Sequence, residues 1–328
     1  MVYDLYFHND LDGHATAAVM LVFLESHGDT VGHFVPVDYD LQTQWLREGF
    51  LKEHHLFSGR RNAPVVLDFS FHPGTAFWFD HHPTAFKKEA WKKEFVPGKT
   101  HAYDPSYFSC CHFVYEKLRR NFGWRAPVHF KELVKWLDII DGARYESARQ
   151  TILIREPALV IDAYLEAQGR NARTSAWLIK LLAERLLDDI AKIPKIAAAG
   201  KHARKSAFRQ LSFYRKHLMV HGDVTVINLL GHGEQFLRFA AYDLFPKIRY
   251  AVRIRKKGLL YSVGVGENPW LKKKGSIHLG KLVKKYSSGG GGHQSAAAVE
   301  FGTRAETMRA VEDMIKVLNR KQNGRQKK

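Results

Sequence analysis

The chain has 328 residues, 45% of them hydrophobic, which is enough for two domains each with its own core. Its formal charge of +18 is uneven: from His221 onward 21 Lys and Arg stand against 8 Asp and Glu, giving +13 of the total and making a polyanion the natural partner of that half. Its two cysteines, Cys110 and Cys111, are adjacent, which excludes a disulfide framework or a four-ligand zinc site. Met1-Val2-Tyr3-Asp4 opens with no basic region or long apolar stretch, so the expectation is a reduced cytoplasmic protein rather than a secreted or membrane one.

Val2 to Phe7 reads as a strand that delivers into His8-Asn9-Asp10-Leu11-Asp12-Gly13, after which Ala15 to Leu24 has helical composition. At an extended strand exit the alternating His8, Asp10 and Asp12 would point to one side, and their oxygen and nitrogen donors suit a divalent cation. The same residues also fit a capping loop, with Asp10 or Asp12 as the helix N-cap. Thr30 to Val37 reads as a second strand and Gln42 to Leu56 as a polar-faced helix. Pro64 to Leu67 is a third strand ending at Asp68-Phe69-Ser70.

Between Pro73-Gly74 and Pro83, the aromatic run Ala76-Phe77-Trp78-Phe79 reads as a buried fourth strand closing on Asp80-His81-His82. Open α/β sheets place ligands beyond the carboxyl ends of their strands, and here three strands each finish on a carboxylate or imidazole. Glu53-His54-His55 is a similar triplet with no strand before it and reads as a helix or surface loop. Glu132 to Ile140 is a helical stretch carrying Asp138 and Asp141, an i, i+3 pair on one face, with apolar neighbours that suggest burial.

Arg144 to about Val220 is mostly helical in pattern, with Ser175 to Ile190 amphipathic and Lys201 to Lys216 strongly basic. Val224 to Leu230, Tyr250 to Ile254 and Leu259 to Val265 return to strand-like runs. Ser287-Ser288-Gly289-Gly290-Gly291-Gly292-His293-Gln294 follows, then Ala296 to Phe301. A flexible linker is one reading of the glycines. Tight apolar flanks favour instead a structured turn whose N–H groups, ahead of a short helix, face an anion. Asn319 to Lys328 is a basic, polar tail of disordered composition.

His8-Asn9-Asp10-Leu11-Asp12-Gly13, Asp68, Asp80-His81-His82 and Asp138 or Asp141, in that order, resemble the four motifs of the DHH phosphoesterase superfamily. That superfamily includes RecJ nucleases, family II pyrophosphatases and the NrnA and NrnB oligoribonucleases, and the first motif looks closest to the NrnB-like branch. The resemblance implies an α/β fold: a parallel-sheet catalytic core over 1–150, a helical connector over 151–220, a smaller α/β substrate-binding domain over 221–318 across a cleft, and a tail over 319–328. It also implies two divalent cations, most often Mn2+ with Mg2+ or Co2+ as alternatives, bridged by Asp68. His8 and Asp10 would hold one; Asp12, His81 and an acid of the fourth motif, Asp138 ahead of Asp141, the other. His82 would face the phosphate, with Asp80 behind it orienting an imidazole. The Gly-Gly-Gly-His element, Gly290, Gly291, Gly292 and His293, resembles the DHH-associated domain that grips the nucleotide or phosphate end of a substrate. Arg253 and Asn268 are weaker candidates for the same role.

The expected activity is metal-dependent hydrolysis of phosphodiester or phosphomonoester bonds in short nucleotidic substrates, such as oligoribonucleotides of a few residues or 3′-phosphoadenosine 5′-phosphate. Two alternatives stand beside it: a phosphoanhydride hydrolase acting on pyrophosphate or polyphosphate, and a basic nucleic-acid-binding protein with a degenerate site. Short nucleic acid or nucleotide is the expected partner, with no membrane. The oligomeric state is open, a dimer being one option.

Overall fold

The computed structural model describes residues 1–55, 62–232, 236–271, 277–287 and 289–320; the side chains of His54 and His55 and most of the basic tail lie outside the described residues. The chain divides into two compact units, Met1–Tyr145 with Ile154–His202 and Glu146–Leu153 with Ala203–Lys328.

The first unit is built on five parallel strands, β1 (Val2–His8), β2 (Thr30–Val37), β3 (Ala63–Leu67), β4 (Phe77–Asp80) and β5 (His101–Tyr103), in the order β2-β1-β3-β4-β5. Its helices are α1 (Leu11–Ser26), the short α2 (Gln42–Trp45), α3 (Phe50–His55) and α4 (Glu89–Glu94), then α5 (Cys110–Phe122) and α6 (Phe130–Ile140). The helix α7 (Ala148–Leu153) belongs to the second unit. The chain then returns to the first through α8 (Pro157–Gln168), α9 (Ala172–Glu184), α10 (Leu187–Ala191) and the start of the long α11 (Pro194–His217).

Period-2 alternation sorts the strand residues onto two cores. Leu5, Phe7, Val65, Leu67, Phe77 and Phe79 pack with residues of α1, α5, α6, α8 and α9, while Tyr6, Val66 and Trp78 face an aromatic cluster of Trp45, Phe69, Phe71 and Trp91. That cluster also breaks the single helix expected over Gln42 to Leu56. Trp45 and Phe50 both enter it, and five positions along one helix would put them about 140° apart. The chain turns between them instead, with the Trp45 indole N–H donating to the Ser70 carbonyl at 3.0 Å.

The second unit carries a mixed six-stranded sheet of β6 (Met219–His221), β7 (Val224–Asn228), β8 (Tyr250–Lys257), β9 (Leu260–Glu267), β10 (Gly291–Gly292) and β11 (Ala296–Phe301), ordered β10-β11-β9-β8-β7-β6. The β7–β8 pair is parallel and the other pairs antiparallel. Three further helices are α12 (Ala240–Leu244), α13 (Leu279–Val283) and α14 (Arg304–Asn319), the last opened by a Thr303–Glu306 capping box. One face of the sheet, with Val226, Val252, Val265 and Val299, packs on Leu279, Val283, Val311 and Met314; behind Ile227, the other packs on Ile152, Leu211, Tyr214 and Ala240. Ala296 to Phe301 is therefore a strand and not the short helix expected after the glycines. All six residues pair with β9, and that pairing overrides the helix preference of three consecutive alanines. No helix among the described residues is long and apolar enough to cross a membrane.

Candidate metal centre

The carboxyl ends of β1, β3 and β4 lie side by side because the strands are parallel and in register: Phe7 pairs with Leu67 and Leu67 with Phe79. His8, Asp68 and the Asp80-His81-His82 triplet therefore leave one crest of the sheet together. The turn into α1 brings Asp10 and Asp12 to the same crest. Only glycine permits that turn at position 13, where a Cβ would lie 2.1 Å from the His8 carbonyl oxygen. Asp10 does both jobs that the sequence allows it: its Oδ1 accepts the Gly13 N–H at 2.9 Å as the N-cap of α1, and its Oδ2 lies 2.6 Å from His8 Nδ1.

Asp68 sits between the other donors. Its Oδ2 is 3.7 Å from His8 Nδ1, and its Oδ1 is 3.5 Å both from His81 Nε2 and from His82 Nδ1. The backbone at Asp68 is left-handed, φ 56°, a conformation that Asp and Asn tolerate better than most residues. Asp12 lies 3.7 Å and Asp141 3.3 Å from His81 Nε2. Three donor groups result, each within 4.8 Å: His8, Asp10 and Asp68; Asp12, His81 and Asp141; and Asp68, His81 and His82.

These residues fit divalent cations on two grounds. His81 Nε2 and both oxygens of Asp68 are buried without a hydrogen-bond partner, while His8 Nδ1 sits against the Asp10 carboxylate, an arrangement that costs free energy unless something else takes the free lone pairs. The charges are also crowded. Burial first, then Asp68 and Asp141, push the Asp12 carboxyl well above the usual range. Burial and Asp10 raise Asp68, and burial and Asp68 raise Asp141 to about 6. Burial works against a charged His8, yet Asp10 and Asp68 outweigh it and carry the ring to about 11. Such a set of mutually repelling acids is relieved by bound cations.

Around the donors the chain supplies fixed supports. The N-terminus of α5 holds Asp12, with the Cys110 and Cys111 backbone N–H groups donating to its Oδ2 and Oδ1 at 2.6 and 3.0 Å. Asp80 is fully buried; its Oδ1 accepts from the N–H groups of His81 and His82 and lies 2.8 Å from His82 Nδ1. Tyr107 offers its carbonyl to His81 Nδ1 at 3.1 Å.

Of the two acids on α6, the structure brings Asp141 and not Asp138 to Asp12 and His81, reversing the expected preference. Asp138 accepts from the Ser109 hydroxyl at 2.7 Å and lies 2.8 Å from His112 Nδ1, so it anchors the start of α5 instead. Sequence reasoning misses Asp38, at the end of β2, whose Oδ1 is 3.8 Å from His8 Nε2. Its place directly after the strand ending at Val37, as Asp68 follows Leu67, is the signal that could have found it.

In the second unit the glycine run is a packed strand edge more than an open cradle. Gly289 and Gly290 donate to the Ser287 hydroxyl and carbonyl, the His293 and Gln294 carbonyls accept from Gly280 and Leu279 of α13, and a Cβ on Gly292 would lie 2.5 Å from the Ala296 carbonyl. The His293 side chain is exposed. Arg253 lies over the Phe236 ring at 4.1 Å, opposite Gly264 in the β8–β9 register, and its Nε has no partner. Asn268 does not offer itself to a ligand. It is buried, its amide donates to the Pro246 and Ile248 carbonyls, and its oxygen accepts the Trp270 N–H, so it ties a loop.

Neither a family model nor a curated protein matches the sequence. Solved structures do. The chain is similar to the pGpG-specific phosphodiesterase PggH from Vibrio cholerae, with TM-score 0.69 and 16% identity over 97% of this chain and 99% of that one. It is also similar to the DHH domain of a member of a family of ribosomal proteins, with TM-score 0.61 and 16% identity over 96% and 86%. A third similarity is to exonuclease RecJ bound to manganese, with TM-score 0.56 and 12% identity over 97% and 90%. These likenesses show that the chain shares its fold with a DHH domain and with RecJ.

Proposed function

We propose that the chain is a two-metal phosphodiesterase that hydrolyses short nucleotidic substrates. One observation carries the reading: the His8–Asp10–Asp68 and Asp68–His81–His82 groups share Asp68, His81 in turn joins Asp12 and Asp141, and the two Asp68 oxygens face opposite sides with no hydrogen-bond partner of their own. His8, Asp10 and Asp68 would hold one cation, and Asp12, His81 and Asp141 the other, with Asp68 shared. Manganese is the first choice, in keeping with the RecJ neighbour's bound metal. When bound, such a pair lowers the pKa of a water and stabilises charge on the attacking and leaving oxygens.

The chain's own residues do the rest. The α5 amides fix both oxygens of Asp12, and Asp80 fixes Nδ1 of His82, leaving the other ring nitrogen for a phosphoryl oxygen. Asp138 keeps Ser109 and His112, and so the start of α5, in place. In the second unit, His293 and Arg253 would hold a phosphate or base, with Gly290, Gly291 and Gly292 setting the shape of that turn. The basic surplus after residue 221 and the similarity to PggH, a pGpG-specific phosphodiesterase, favour nucleotidic substrates over simple anhydrides. The test is an assay of the purified protein with Mn2+ against labelled dinucleotides, longer RNA, DNA, 3′-phosphoadenosine 5′-phosphate and pyrophosphate. Preferential dinucleotide cleavage is expected; hydrolysis of pyrophosphate alone, or metal binding with no hydrolysis, would overturn the proposal.

A further inference from the structure

Phe108 is 47% exposed, yet one chain neighbour touches a donor of the candidate centre and the other caps the helix whose N-terminus holds Asp12. Tyr107 on one side offers its carbonyl to His81, and Ser109 on the other caps α5 and donates to Asp138. The Arg144 guanidinium lies over the Phe108 ring, 4.2 Å from its centroid. Arg144 stands three residues beyond Asp141, and it forms no ion pair with any carboxylate among the described residues.

The pair is held in place by backbone. Helix α6 closes with Ala143 left-handed, φ 51°, the Ala143 N–H on the Ile140 carbonyl and the Arg144 N–H on the Ile139 carbonyl. Glycine is the usual residue at that left-handed position. Gly142 leaves the room the pair occupies, since a Cβ there would lie 3.1 Å from Phe108 Cδ1 and 3.2 Å from Arg144 Cδ. Exposed single aromatics are ordinary. An exposed phenyl stacked with a guanidinium that has no carboxylate partner among the described residues, both joined closely to segments of the candidate centre, is a flat cationic surface at its edge. Nucleobases stack on surfaces of this kind, and the charge suits an adjoining phosphate.

We infer that Phe108 and Arg144 form a stacking platform for one nucleobase next to the scissile phosphate, so that the centre selects nucleotide units over base-free phosphodiesters. The inference rests on the proposed phosphodiesterase reading and adds to it the part of the substrate that the metals cannot recognise.

The test compares the parent with Phe108→Leu, which keeps apolar volume but removes the π face, and Phe108→Trp, which restores one. Substrates are a diadenosine dinucleotide and its two singly abasic forms, with Mn2+. Phe108→Leu is expected to raise KM for the intact dinucleotide by about tenfold, to leave KM unchanged for one abasic form, and to keep the parent's manganese content, with Phe108→Trp recovering the loss. Equal effects on all three substrates, or none, would overturn the platform. Binding of a 2-aminopurine dinucleotide in EDTA, read by fluorescence quenching, separates the two readings. If the parent hydrolyses no dinucleotide, the phosphodiesterase reading falls. The platform still stands if quenching is lost in Phe108→Leu, and falls if quenching is retained.

Discussion

Asp68→Asn isolates the charge of the shared carboxylate. Asparagine keeps the shape and tolerates the left-handed backbone at φ 56°, where alanine would add strain of its own. Both Asp68 oxygens are buried without a hydrogen-bond partner, and burial together with Asp10 raises its pKa, so ionised Asp68 opposes folding when no cation is present. An unsatisfied buried polar group costs about 1–3 kcal/mol, and more when charged. Removing the charge should stabilise the metal-free protein by about 2 kcal/mol, or about 4–8 °C in Tm for a unit of this size. With metal the order reverses. The two cations lose the carboxylate between them, so Mn2+ should raise the variant's Tm far less than the parent's, and hydrolysis should fall by at least about 10³, near 4 kcal/mol. Thermal melts in EDTA and in Mn2+, with a dinucleotide assay, measure all three. A variant that melts below the parent in EDTA, or that keeps parental Mn2+-dependent turnover, would refute the argument.

The two acids of α6 should separate cleanly: Asp141→Ala is expected to lose about one of two bound metals and most activity, whereas Asp138→Ala keeps the metal content and slows the reaction by about 10–100-fold; the opposite pattern in metal analysis would reverse the assignment. For the metal-free protein, folding raises Asp141 from 3.8 to about 6, so its unfolded form releases the proton first and stability falls as pH rises across that interval. His8, raised from 6.5 to about 11, contributes stability that is complete below 6.5 and fades above it, which has the same sign. The Tm gained on adding Mn2+ should therefore grow between pH 4.5 and 7, and a gain that is flat with pH would count against this. His293→Ala should impair cleavage of a dinucleotide far more than that of bis-(p-nitrophenyl) phosphate; parallel losses with metal content intact would make His293 part of the chemistry.

The strands and the crest they share are readable because each apolar run stops at a candidate donor residue, whereas the direction of Asp68, set by a left-handed backbone at φ 56° beyond the end of β3, is not. The choice between Asp138 and Asp141 is not readable. Both lie on one face of α6, and only the helix's contact with Ser109 and His112 decides which of them turns inward. Asn268 looks like a polar group near a strand end, but its partners are the Pro246, Ile248 and Trp270 backbone groups, which no local pattern announces. The alanine run after the glycines misleads for a related reason, because β9 supplies the pairing that makes it a strand. The grip of α5 on Asp12 spans nearly a hundred residues of sequence and comes from backbone, so side-chain identity carries no trace of it.

That grip also decides what the two cysteines can do. A thiol at a helix N-terminus is ordinarily pushed toward thiolate, and thiolate sulfur draws soft metals such as zinc and reacts with oxidants. Here the amides that would favour a thiolate already serve the Asp12 carboxylate. Burial, followed by the charge of Asp68 and Asp12 at Cys110 and of Asp12 and Asp138 at Cys111, holds both thiols well above their usual pKa. Cys110 Sγ instead points its hydrogen at the Phe79 carbonyl, 3.4 Å away. Two sulfurs thus stand beside the centre as inert, protonated filling, and a cation at Asp12 meets oxygen and imidazole alone.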